Sequence, residues 1–172
     1  MLTTAVAAGP TVSTGGGADR PRRVAAAKAA LAPSAQARAF TAAINRRRQE
    51  RGLRPLRRVR GLTAAAVAHS RQMAAFGFLG HRSIDGSPFW RRIERFYRPG
   101  AGAVGETLAY HDGGLNPDDI VDRWLASPGH RRIVLYGEWR DIGLGVVEAV
   151  GAPGVFGGGD VVVVTADFGV RR

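Results

Sequence analysis

The stretch Ile142-Gly143-Leu144-Gly145-Val146-Val147 is followed, after a glycine-rich connection from Gly151 to Gly159, by Val161-Val162-Val163-Val164-Thr165-Ala166-Asp167-Phe168. Both runs have strand length and are rich in β-branched side chains, which suit a pleated surface. Two such runs joined by a turn make an antiparallel hairpin. Everything before them reads mainly as helix, so the element order is helices first and a hairpin last. That order predicts an α+β layered domain and argues against a doubly wound parallel sheet, whose strands and helices would alternate. No internal repeat is visible.

Working back from the hairpin, the spacing of apolar residues predicts helices over 35–51, 61–76 and 117–125, with shorter ones over 88–96 and 130–136. In the first, Ala39, Phe40, Ala43 and Ile44 form the stripe and Gly52 closes the end. In the second, Leu62, Ala66, His69, Met73 and Phe76 share a face and Gly77 terminates it. In the short helix over 88–96, Phe89, Ile93 and Phe96 are expected to point inward. Asn116 or Pro117 opens the 117–125 helix, with Asp118 and Asp119 in the first turn, where the helix dipole favours anions. Residues 106–110 read as a short extended segment. Residues 1–34 read as a flexible tail and 35–172 as the folded domain.

A chain of 172 residues suits one domain. Its 45% hydrophobic and 23% charged content is ordinary for a globular protein. No run approaches the roughly 20 apolar residues needed to cross a bilayer. There is no cysteine, which excludes disulfide stapling, thiol catalysis and thiolate zinc sites. The net charge is +11, and Lys28 is the one lysine among 25 basic residues. A surface rich in arginine suits an anionic polymer of the cell envelope. Nucleic acid is not expected, because no zinc-finger spacing, aromatic RNA-binding motif or long basic run is present. Met1 to Ala18 are small and apolar but lack a basic n-region; Thr4 to Ala8 read as the end of a signal h-region, which would place the domain outside the cytoplasm.

Four histidines occur, His69, His81, His111 and His130. His69 lies on the apolar stripe of its helix and reads as structural. His81, after Phe76-Gly77-Phe78-Leu79-Gly80, and His130, in Ser127-Pro128-Gly129-His130-Arg131, sit at helix ends or tight turns. Such positions hold side chains rigidly while leaving them access to solvent. Glu106, embedded in Gly105-Glu106-Thr107-Leu108-Ala109, is an acid among small and apolar residues and requires a partner. These three form the candidate cleft. Ser127, Arg131 and His111 are candidates for its edge.

Several segments together resemble the bacterial, SCP-like branch of the CAP superfamily (cysteine-rich secretory proteins, antigen 5, pathogenesis-related proteins). They are Gly52-Leu53-Arg54-Pro55-Leu56, Ala68-His69-Ser70 with Met73, Gly80-His81, Gly105-Glu106, Trp124 to Arg131, and Asp141-Ile142-Gly143-Leu144-Gly145-Val146. The resemblance implies an α-β-α sandwich with a central antiparallel sheet flanked by helices. It also implies a cleft of two histidines and two acids that in some members holds a divalent metal such as zinc. By position His81, Glu106 and His130 match three of the four. The fourth acid falls at Ser127, and Thr107 replaces the usual asparagine.

The expectation is therefore a secreted or envelope-facing monomeric CAP domain. Its His81–Glu106–His130 cleft would bind Zn2+ or another divalent cation through His81 and His130, or a small ligand, without catalysis. One alternative is a metal-assisted hydrolase with Glu106 as base. Another is adhesion to anionic envelope polymer through the basic surface.

Overall fold

In a computed structural model, residues 33–100, 102–113 and 115–171 are described. The tail expected over residues 1–34, with its signal h-region, lies outside these as far as residue 32. The elements run α1 (Pro33–Gln49), β1 (Arg57–Arg58), α2 (Arg60–Phe76), α3 (Phe89–Glu94), β2 (Ala103–His111), α4 (Pro117–Ala126), α5 (Pro128–Val134), β3 (Asp141–Ala152) and β4 (Gly159–Val170). Among the described residues the strands form a four-stranded sheet in the order β1-β3-β4-β2. The β3–β4 hairpin and the β2–β4 pair are antiparallel, whereas β1 lies parallel to β3. The sheet is thus mixed, not purely antiparallel. The extra strand is two arginines, Arg57 and Arg58, too short to carry a periodic signal.

Helices cover both faces. On one side α1, α4 and α5 bury Phe40, Ile44, Trp124 and Ile133 against Ile142, Leu144, Val164 and Phe168. On the other side α2 lies directly on the hairpin. A Cβ on Gly143 would sit 2.1 Å from backbone atoms of Leu62 and Thr63, and one on Gly145 2.3 Å from those of Ala66. Real Cβ atoms do not come so close, so these two glycines let the helix backbone rest on the strand. Ser70 fastens the contact with hydrogen bonds to the Gly145 carbonyl at 3.0 Å and to the Thr165 hydroxyl at 2.8 Å.

Loops are pinned from the same core. Asn45 makes a two-way amide pair with the Leu56 backbone. The fully buried Arg48 donates to the carbonyls of Arg54, Val134 and Tyr136. Gly77 takes a left-handed conformation, φ 68°, and ends α2 with its N–H on the Met73 carbonyl. Two expected inward residues turn out: Phe76 is 61% and Phe96 47% exposed. α3 stops at Glu94, so Tyr97 rather than Phe96 enters the core, and Arg92 is buried beside Ile93.

Candidate functional site

His69 prepares the ground for the site. It is fully buried on α2, stacks edge-on with Phe78, and donates its Nε2 proton to the Gly80 carbonyl at 2.8 Å. Burial, aided by the Arg92 charge, lowers its pKa to about 3. The ring is therefore neutral and acts as a hook for the loop that delivers His81.

His81 meets Glu106 directly: its Nδ1–H donates to Glu106 Oε1 at 2.7 Å. Glu106 Oε2 accepts from Arg92 of α3, whose guanidinium also binds the Ser83 hydroxyl at 3.0 Å and the His81 carbonyl at 3.4 Å. Glu106 stands opposite Asp167 in the β2–β4 register. Directly paired residues have Cβ atoms about 4.5–5.5 Å apart, so two buried carboxyl groups lie side by side. No N–H or O–H of the described residues reaches either oxygen of Asp167. Burial, then the Glu106 charge, raises Asp167 well above the carboxylate range. Burial pushes Glu106 up to about 7 against the pull of Arg92 and of a hydrogen bond from Asp167. Once Glu106 has ionised, above about pH 7, the arrangement that satisfies these charges has Asp167 protonated and donating to Glu106, with Arg92 as the counter-charge. His81 is held neutral, its pKa lowered first by burial and then by Arg92.

With Nδ1 engaged, Nε2 is the nitrogen His81 has left for a ligand. Its ring borders a cavity of about 550 Å³ lined by Phe78, Gly80, Ser83, Ile84 and Phe89. Phe89 packs edge-on against the imidazole at 6.2 Å.

The other sequence candidates lie on α5, between α4 and α5, and at the end of β2. His130 is buried on α5. Ser127 sits between α4 and α5, its carbonyl accepting from the Arg131 N–H. Arg131 turns its guanidinium to the Leu125 carbonyl at 3.2 Å. His111 ends β2 an odd number of residues from Glu106 and so lies on the opposite face.

A divalent cation does not fit this arrangement. Both oxygens of Glu106 are engaged, Arg92 places a fixed positive charge beside them, and among the described residues no three His, Cys, Asp or Glu side chains are grouped to hold a metal.

Arg92 and Asp167 join His81 and Glu106 in this arrangement and are not among the sequence candidates. Asp167 left a trace, since Thr165 and Asp167 are polar at strand period in an otherwise apolar run. Arg92 left a fainter one, at i+3 from Phe89 on a short helix.

The fold agrees with what the chain resembles. The model of the cysteine-rich secretory protein family, CAP, matches residues 41–165, and the chain belongs to that family. The uncharacterized protein YkwD of Bacillus subtilis is 33% identical over 106 residues, 61% of this chain and 40% of YkwD, so the chain spans less than half of that relative. Two solved structures share the fold. An extracellular protein containing an SCP domain from Bacillus anthracis str. Ames superimposes with a TM-score of 0.62 at 23% identity, covering 81% of this chain and 41% of that one. An outer surface protein from Borrelia burgdorferi gives a TM-score of 0.61 at 20% identity, covering 77% of this chain and 90% of that one.

Proposed function

We propose that this CAP domain works outside the cytoplasm as a non-catalytic binding module. Its ligand is a small molecule with an apolar body and one hydroxyl or N–H group. The observation that carries the reading is the His81–Glu106 hydrogen bond at the edge of the 550 Å³ cavity. It fixes the tautomer in which Nε2 is a lone-pair acceptor, as carboxylate partners do for imidazoles generally. The walls of Phe78, Ile84 and Phe89 suit an apolar body. Both Glu106 oxygens are engaged within the protein, which disfavours that residue as a base for water. The extracytoplasmic placement is supported by the two structural relatives, described as an extracellular and an outer surface protein.

The test is a panel of small alcohols and phenols followed by NMR shift perturbation, beside a calorimetric titration with zinc chloride. Expected are shifts centred on residues 78–89, lost in His81→Ala, and no stoichiometric zinc binding. Stoichiometric zinc binding lost in His81→Ala would replace this reading with a metal site. Turnover of peptides or esters abolished by Glu106→Gln would replace it with an enzyme.

A further inference from the structure

One end of the sheet gathers arginines from every strand. β1 begins there with Arg57, paired in register with Asp141 at the start of β3, and Asp141 is paired with Gly169 near the end of β4. Ala103 at the start of β2 is opposite Val170. The same end therefore receives Arg57 and Arg58 of β1, Arg60 at the start of α2, Arg98 before the turn into β2, Arg140 before β3 and Arg171 after β4. All but the half-buried Arg140 are exposed.

The acid that Arg57 and Arg171 share is Asp141. Asp141 is 2% exposed, so it holds the arginines from behind while their outer sides face solvent. Its Oδ1 accepts from Arg57 Nη2 at 3.0 Å, and its Oδ2 accepts from the Tyr97 hydroxyl at 3.0 Å and attracts Arg171 Nε at 3.8 Å. Arg171 lies over the Tyr97 ring, 4.4 Å from its centre. Arg140 is held by the Gly137 and Trp139 carbonyls at 2.9 and 2.8 Å. Three guanidinium groups are thus fixed from behind while the Arg57 and Arg171 side chains remain 75% and 55% exposed. A fixed guanidinium loses little freedom on binding, and its fork matches the oxygens of a phosphate.

We propose that this arginine-lined end of the sheet is a binding surface for an extended, phosphate-rich polymer chain of the cell envelope, separate from the cavity beside His81. Strands about 4.8 Å apart set the guanidinium groups across a width of about 15 Å, which spans a few successive phosphates of a single chain. The surface offers no helix for a duplex groove and no row of exposed aromatic rings for stacking bases, so the phosphates themselves are what it recognises.

The full-length chain, titrated with short-chain inorganic polyphosphate, tests this. If about four phosphates are engaged, log K falls with log salt at a slope near −3. Arg58→Gln/Arg98→Gln/Arg171→Gln should weaken binding by about tenfold or more and flatten that slope. Arg71→Gln/Arg123→Gln, which removes charge without touching this end, should leave both unchanged. Equal weakening by the two variants would mean diffuse attraction to net charge and overturn the proposal. So would equal affinity for polyglutamate, which carries carboxylates instead. A single-stranded DNA oligomer binding more tightly than polyphosphate would replace the envelope polymer with nucleic acid.

Discussion

Asp167→Asn isolates the buried acid pair. Asparagine keeps the shape of the side chain and can donate an amide N–H to Glu106, so the contact between β2 and β4 survives. What disappears is the need to keep a proton. Asp167 titrates well above the ordinary carboxylate range in the fold, because of burial and then the neighbouring Glu106 charge. Above the unfolded carboxylate value the native state holds one proton more than the unfolded chain, so native stability falls as pH rises. The fall is about 1.4 kcal/mol per pH unit until Asp167 itself ionises. The neighbour Glu106, raised to about 7, adds a loss of the same sign up to that pH. His69, lowered to about 3, works the other way and costs stability as pH drops below its ordinary value. Comparing wild type with Asp167→Asn at each pH cancels the His69 contribution. The variant should gain on wild type as pH rises above the ordinary carboxylate range, by about 1.4 kcal/mol per pH unit for as long as Asp167 stays protonated. Urea unfolding of both proteins at fixed ionic strength measures it. A stability difference that is independent of pH would refute the shared-proton arrangement.

Arg92→Met should cost about 3–5 kcal/mol at a pH above the titration of Glu106 near 7, by leaving that buried acid without its partner. Arg92→Met/Glu106→Gln should recover most of that in the same denaturation assay; no recovery would deny that the ion pair carries the effect. Gly145→Ala drives a Cβ to 2.3 Å from the Ala66 backbone, and should cost about 1–3 kcal/mol or more. Gly80→Ala, with nothing within 4 Å of its added carbon, should stay within about 0.5 kcal/mol by thermal unfolding.

What the sequence made legible follows from the range of the signals. The α2 stripe and the β3–β4 hairpin are local periodicities, and His69 on that stripe was read as structural because its neighbours at three and four residues are apolar. Its bond to Gly80 bears this out. The closeness of His81 and Glu106 rested on family position and on an acid placed among apolar residues. Three features had no local signal. β1 is a strand only because β3 lies beside it. Arg92 enters the core only because α3 ends early. Asp167 comes beside Glu106 through strand register, whereas position in the family resemblance puts the fourth acid at Ser127, between α4 and α5. Cross-strand pairing brings residues 61 positions apart into contact, and no window along the chain records it.

The brevity of β1 also governs how the molecule meets its own copies. An edge strand displays unpaired backbone groups that invite another sheet to add on. Here that edge is two residues long, and both are exposed arginines. A second copy arriving edge to edge would find almost no ladder to extend and the same positive charge facing it. The strand that completes the sheet is thus also what discourages this edge from taking on another strand.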